Sequence, residues 1–181
     1  MNKLGTKTLE TERLILRKFD TNDAQPMFRN WASNPNVTKY LTWQPYDNVD
    51  GVREYIEFVI NQYDGAHFDW MIELKEINEP IGTIGVVKYD DSINSAHIGY
   101  CLSENYWHKG IMTEAFKRVI KFLFEEVGVN RIESTHDTNN PNSGMVMKKC
   151  GLQYEGTHRQ AGFNNQGVID TAFYAILKED Y

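Results

Sequence analysis

The sequence predicts a mixed α/β (α+β) domain on a largely antiparallel sheet, with about seven strands and about four helices. Three observations carry this expectation. Segments of strand and helix character run in the order β, α, α, β, β, β, α, β, α, β, β. The three consecutive strands in the middle are joined by turns too short for anything but antiparallel neighbours. One long segment, Lys109 to Val127, repeats its apolar residues at helical spacing.

Taken in order, Glu12 to Phe19 alternates, with Leu14 and Leu16 on one face and Ile15 on the other, as a strand does. A helix follows to about Ser33, with Thr21 or Asn22 as its cap and Asp23 in its first turn. Asn34-Pro35-Asn36 stops it. Tyr40 to Tyr46 is an aromatic-rich loop. Asn48 or Asp50 then caps a second helix to about Tyr63, whose buried stripe is Val52, Tyr55, Ile56, Val59 and Ile60.

The three central strands are His67 to Leu74, Ile81 to Tyr89 and Ser95 to Leu102, separated by Asn78-Glu79-Pro80 and Asp90-Asp91-Ser92. In the long helix the stripe is Ile111, Met112, Ala115, Phe116, Val119, Ile120 and Leu123, and Gly128 ends it. A strand at Arg131 to His136 leads to a short helix opened by Pro141 and closed at Gly151. Two final strands flank the hairpin-type turn Asn164 to Gly167. No internal repeat, linker or low-complexity tract divides the chain, so one domain over residues 1–181 is expected.

Composition narrows the function. With 41% hydrophobic and 24% charged residues the chain has the makings of a packed core and is not of disordered type. Its net charge of −6 disfavours binding of nucleic acid through a basic surface. No run of 18 apolar residues suggests a membrane span. Met1 to Thr8 lacks an apolar signal region, so the cytoplasm is the expected compartment. Cys101 and Cys150 suit reducing conditions and read as small core residues. His67 and His158 show no metal-ligand spacing, so no metal is expected.

The stretch richest in chemistry joins Gly99-Tyr100-Cys101-Leu102 to Trp107-His108-Lys109-Gly110-Ile111-Met112-Thr113-Glu114-Ala115, a strand leading through a loop into a helix. The first amides of a helix lack intrahelical acceptors and the dipole makes that end positive. Gly110 lets a ligand approach the backbone, and Lys109 adds a full charge. Together they form a candidate pyrophosphate cradle; the same residues also read as an ordinary turn. Neither the Walker spacing nor GxGxxG is present.

These residues resemble the acetyl-CoA motif of the GNAT acetyltransferase superfamily. Trp107 stands where the usual motif has Gln or Arg, Gly110 at its central glycine and Met112 at its last position, a departure typical of the ribosomal-protein N-terminal (alanine/serine) acetyltransferase branch. Thr11 to Arg17, Asn130 to Glu133, and Asn140 to Ser143 with Met147 to Leu152 are similar to the same branch, so the resemblance spans nearly the whole chain.

The resemblance implies a sheet splayed open between the strand ending near Leu102 and the strand starting near Arg131. Acetyl-CoA, as co-substrate, would lie in that split. Backbone groups of Tyr100, Cys101 and Leu102 would pair with its pantetheine arm. The amides of His108, Lys109, Gly110, Ile111, Met112 and Thr113 would hold the pyrophosphate, and Asn140 the arm, alone or combined with capping. Acetyl would pass directly to a primary amine. The expected acceptor is a protein N-terminal α-amine of ribosomal-protein type; a polyamine or an aminoglycoside is the alternative. A non-catalytic acyl-CoA sensor and a purely structural domain are the non-enzymatic readings. Relatives often dimerise, which makes a homodimer an expectation here too.

Amine acetylation needs a neutral amine, a polarised carbonyl and a proton for the departing thiolate. The tyrosine that many family members use for that proton would fall at Met147. By resemblance to the ribosomal-protein branch the role passes to Ser143, which also reads as a first-turn backbone partner. The glutamate some members use as base would fall at Thr135. Glu133 and His136 are the nearest candidates. Strand alternation puts Glu133 and Asp137 on Thr135's face and His136 on the other, with His97 on the preceding strand. A water chain is the alternative to any single base. The acceptor would meet Tyr40, Trp43, Tyr46, Phe163 and Asn164, whose aromatics can shield an ammonium by cation–π contact or simply pack the loop.

Overall fold

The computed structural model describes residues 2–63 and 67–181. Eight strands form one sheet in the order β1-β2-β3-β4-β5-β6-β8-β7. They are β1 (Leu9–Glu10), β2 (Leu14–Arg17), β3 (Asp69–Leu74), β4 (Glu79–Asp90), β5 (Ser95–Leu102), β6 (Arg131–Asp137), β7 (Gln153–Asn164) and β8 (Gly167–Leu177). The helices are α1 (Ala24–Met27), α2 (Pro35–Thr38), α3 (Val49–Asn61), α4 (Ile111–Phe122) and α5 (Pro141–Lys149).

The predicted class holds, with one strand and one helix more than the sequence suggested. β1 has two residues, too few to show a period. Asn34 does not merely stop the first helix; its side chain accepts from Asn36 N and caps α2, with Pro35 at the first helical position. The first helical segment starts earlier than predicted. Asp20, rather than Thr21 or Asn22, caps it, and Asp23 reaches back to Asp20 N to complete a capping box. α4 starts at Ile111, so Lys109 and Gly110 precede it. Glu79 and Pro80 already belong to β4 rather than to a turn. Asn48, by contrast, caps α3 as one of the two predicted residues.

The sheet separates two apolar layers. On one face Trp70, Ile72, Ile84 and Ile98 pack against Ala115, Phe116 and Val119 of α4 and Met147 of α5. On the other, Met71 packs with Met27, Trp31, Val52 and Ile56 from α1 to α3. Arg17 pins the second layer to the sheet. It pairs with Asp23 through both Nη atoms, at 2.8 and 2.7 Å, and with Glu73 of β3 at 2.7 Å.

β5 and β6 run parallel, but pair only at Ser95↔Arg131, Ala96↔Ile132 and His97↔Glu133. Beyond the third rung they part. β5 stays with β4 up to Leu102, and β6 stays with β8 up to Asp137. A bulge in β4 at Val87 bends the strand beside this point. The Ser134 hydroxyl reaches across to the Ile98 carbonyl, 2.8 Å away, at the start of the gap.

Candidate active site

A cleft of about 1030 Å³ runs through the gap between β5 and β6 and opens on both faces of the sheet. Its two faces are chemically different because side chains alternate along each strand.

On the α4–α5 face, the parity of β5 decides which backbone groups are free. Ser103 N donates to Ile81 O of β4, so alternate residues, Cys101 among them, direct their backbone toward β4. Ile98 O faces Ser134 and Leu102 O faces the Trp107 indole, at 2.8 Å each, on the opposite side. Tyr100 shares their parity. Its N–H and C=O, with the Leu102 N–H, therefore face the gap. This corrects the expectation for Cys101, whose backbone is turned away. Its thiol is pushed up to about 12 by burial and is no nucleophile at neutral pH.

At the end of this face, Gly110 adopts φ +74° and gives α4 no side-chain cap. His108 is also left-handed, at φ +59°. The bend delivers the open N-terminal amides of α4 to the cleft. The loop is held from outside. Arg13 donates to Lys109 O at 3.0 Å and to Glu114 at 2.7 Å, and the Thr11 hydroxyl meets Glu114 at 2.6 Å. Burial works to raise the Glu114 pKa, but these hydrogen bonds and Arg13 outweigh it and hold the carboxyl below its usual value.

Ser143 lies in the first turn of α5. Its hydroxyl is 2.8 Å from the Tyr100 phenol, which also reaches Ser143 O at 3.0 Å. Burial pushes the Tyr100 pKa well up, so the phenol keeps its proton at neutral pH. Asn140 sits at the N-cap of α5 without a side-chain cap bond, contrary to the capping half of its expected role, and lines the cleft.

On the α1–α3 face the floor is low. An added Cβ at Gly85 would fall 2.0 Å from Asp69 Oδ1, and one at Gly99 would fall 2.8 Å from Val87 Cγ1. Tyr40, Trp43 and Tyr46 form the wall, with the Trp43 and Tyr46 rings 5.6 Å apart. Asn165 of the β7–β8 turn ties this loop down through Thr38 O and Trp43 O, both at 2.8 Å. Glu133, His97 and Thr135 meet at the apex of the gap.

This is a strand edge, a helix terminus and a hydroxyl pair converging on one slot. The model of the acetyltransferase (GNAT) domain matches residues 13–153. The chain belongs to the GNAT acetyltransferases. It is 34% identical over 176 residues to the uncharacterized N-acetyltransferase p20 of Bacillus licheniformis, covering 97% of this chain and 98% of that one. It is 24% identical over 175 residues to the ribosomal-protein-serine acetyltransferase of Escherichia coli, covering 95% and 97%. A GNAT-family acetyltransferase structure from Bacillus anthracis superposes with a TM-score of 0.84 at 26% identity, over 96% of this chain and 99% of that one.

The protein is thus an acetyl-CoA-dependent N-acetyltransferase, and its slot fits that co-substrate. The cleft reaches the upper end of small-ligand pockets. The free edge at Tyr100 matches an amide-bearing arm, and the α4 terminus matches a pyrophosphate. Because Arg13 sets the path of the GNAT loop without facing the cleft, Arg13→Ala is expected to weaken acetyl-CoA binding about fivefold with little change in Tm. Calorimetric titration checks this; an unchanged Kd would detach the clamp from the cradle.

Several predicted residues of the GNAT site are differently placed. His136 turns to the α5 face. Its Nδ1 donates to Asp137 O at 2.7 Å, and its Nε2 stands where a Cβ on Gly144 would be, 2.5 Å away. It lies across the sheet from Glu133, as strand alternation along β6 requires. Asn164 is 4% exposed. Its amide donates to Asp137 and its Oδ1 accepts from Gln166 N, both at 2.8 Å, so it holds the hairpin rather than facing an acceptor. Phe163 is 65% exposed at the mouth of the cleft. The Tyr100 phenol and Asn165 were not singled out for these contacts. Each acts through a partner more than 40 residues away. Among the described residues no His/Cys/Asp/Glu group can hold a metal, and no helix is long and apolar enough to cross a membrane.

Proposed function

We propose that this GNAT enzyme acetylates the N-terminal α-amine of a protein, of ribosomal-protein type, in the cytoplasm. The observation that carries the reading is the α1–α3 mouth of the cleft. It is a trough walled by Tyr40, Trp43 and Tyr46 and flanked by the exposed Phe163, open enough for a chain end. Kinship over nearly the full length with a ribosomal-protein-serine acetyltransferase supports it.

When bound, acetyl-CoA supplies the activated acetyl group and a thiol leaving group. The chain supplies the rest. Tyr100 N–H and C=O would hold the arm, and the amides of Ile111, Met112 and Thr113 with Lys109 would hold the diphosphate. Leu102 N–H would polarise the acetyl carbonyl. Ser143 Oγ–H, supported by Tyr100, would serve the sulfur as it leaves. The aromatic wall would shield the incoming nitrogen from water.

Thiol release tests this against peptides with Ser or Ala N-termini, polyamines and aminoglycosides. Peptides are expected to be turned over with the highest kcat/KM. Preference for a small amine would replace the acceptor class and leave the chemistry standing.

A further inference from the structure

The apex of the gap holds an arrangement that the cofactor machinery does not use. His97 is the last β5 residue to pair with β6, opposite Glu133. Its Nδ1 lies 3.4 Å from Glu133 Oε1, and its Nε2 lies 3.3 Å from the Thr135 hydroxyl. With the Nδ1–H tautomer, whose proton faces the Glu133 carboxylate, Nε2 presents its lone pair to Thr135. Thr135 then donates to Nε2, and its remaining lone pairs are open to the cleft that it lines. Thr135 stands just past the last paired rung, where β6 has left β5 and a nitrogen can approach from the α1–α3 face.

We infer that Glu133, His97 and Thr135 form the proton outlet for the acceptor amine. Once the acceptor nitrogen has bonded to the acetyl carbon and become cationic, its N–H bond breaks with the proton passing to Thr135 Oγ. The Thr135 O–H proton passes to His97 Nε2 in the same motion, and the imidazolium is balanced by Glu133 before releasing the proton to water. Thr135 ends the step as it began, neutral. His97 is the base, Thr135 the residue touching substrate, and Glu133 a positioning residue.

The surrounding charges favour a neutral imidazole at rest. Burial, with Lys88 across on β4, lowers the His97 pKa from 6.5, and Glu133 only partly offsets this. Glu133 is itself shared with Arg131 at 3.1 Å, and Arg131 reaches Glu155 of β7 at 2.8 Å, so its carboxylate is fixed in direction. The inference does not depend on which amine is the acceptor.

The test is the pH profile of kcat/KM, referred to the concentration of neutral amine so that the acceptor's own protonation is removed, with the amine that wild type turns over fastest. Wild type should lose rate as pH falls through the His97 pKa, below 6.5. His97→Gln should lower kcat/KM by about 100-fold and abolish that acid limb, with acetyl-CoA affinity and Tm retained. Thr135→Val should cost about tenfold or more, and Thr135→Ser should recover most of it. Glu133→Gln should keep the limb but move it to lower pH, because the carboxylate that favours the imidazolium is gone. An NMR titration of the His97 ring, which needs no acceptor, should show the same downward shift. An acid limb that survives in His97→Gln overturns the base. A Thr135→Val rate equal to wild type overturns the relay. A ring titration unmoved by Glu133→Gln overturns the pairing.

Discussion

Ser143→Ala is expected to lower kcat by about tenfold or more, about 1.4 kcal/mol of barrier, while the Kd for acetyl-CoA stays within about twofold. The split follows from geometry. The hydroxyl is engaged with the Tyr100 phenol at 2.8 Å, outside the backbone hydrogen bonds of α5, so its loss leaves the helix intact. Tyr100→Phe should cost less. It keeps the ring packed against Phe116 at 5.5 Å and removes only the support of Ser143. Because burial keeps the phenol protonated, Tyr100 should add no basic limb to the rate near neutral pH. Steady-state kinetics beside calorimetry decide the matter: an unchanged kcat would remove Ser143 from the chemistry.

Asp23→Ala is expected to reduce unfolding free energy by about 3 kcal/mol, and Tm by about 6–12 °C. Asp23 is 4% exposed and accepts from both Nη atoms of Arg17 and from Asp20 N. Its loss opens the capping box and strips Arg17 of its main partner, leaving a partly buried guanidinium with Glu73 alone. The lower end of the range for broken buried pairs applies because the Arg17 side chain keeps 25% exposure and one carboxylate. The exposed pair Arg29–Glu79 is the control, and Arg29→Ala should shift stability by no more than about 0.5 kcal/mol. Denaturant melts showing equal losses for the two would refute the ranking.

Local signals carried most of the architecture. Ser95 to Leu102 was legible to the residue because turn and loop residues flank it, and α4 because its apolar stripe is unbroken; Gly128, left-handed, caps the helical turn Leu123–Val127 that follows α4. Asp20 was hidden because Thr21 and Asn22 beside it have the same capping chemistry. His108 and Gly110 to Thr113 stand together along the cleft because they are contiguous in the sequence. His97, Glu133 and Thr135 were not legible as a unit, since only the parallel three-rung register of β5 and β6 brings segments 36 residues apart into contact. Strand alternation did place Glu133 and His136 on opposite faces, and the structure agrees. The commitment of Asn164 to Asp137 depends on the β6–β8 pairing, which no local pattern encodes.

The three-rung contact between β5 and β6 leaves a strand position open, which acetyl-CoA would fill under the proposed binding mode. A ligand that fills a missing strand position joins the folding equilibrium as well as the reaction. At 100 times its Kd it adds about 2.7 kcal/mol to the native state. Resistance to heat and proteolysis should therefore follow the acetyl-CoA level, and the backbone amides of Tyr100 and Leu102 should exchange hydrogen slowly only when the slot is filled.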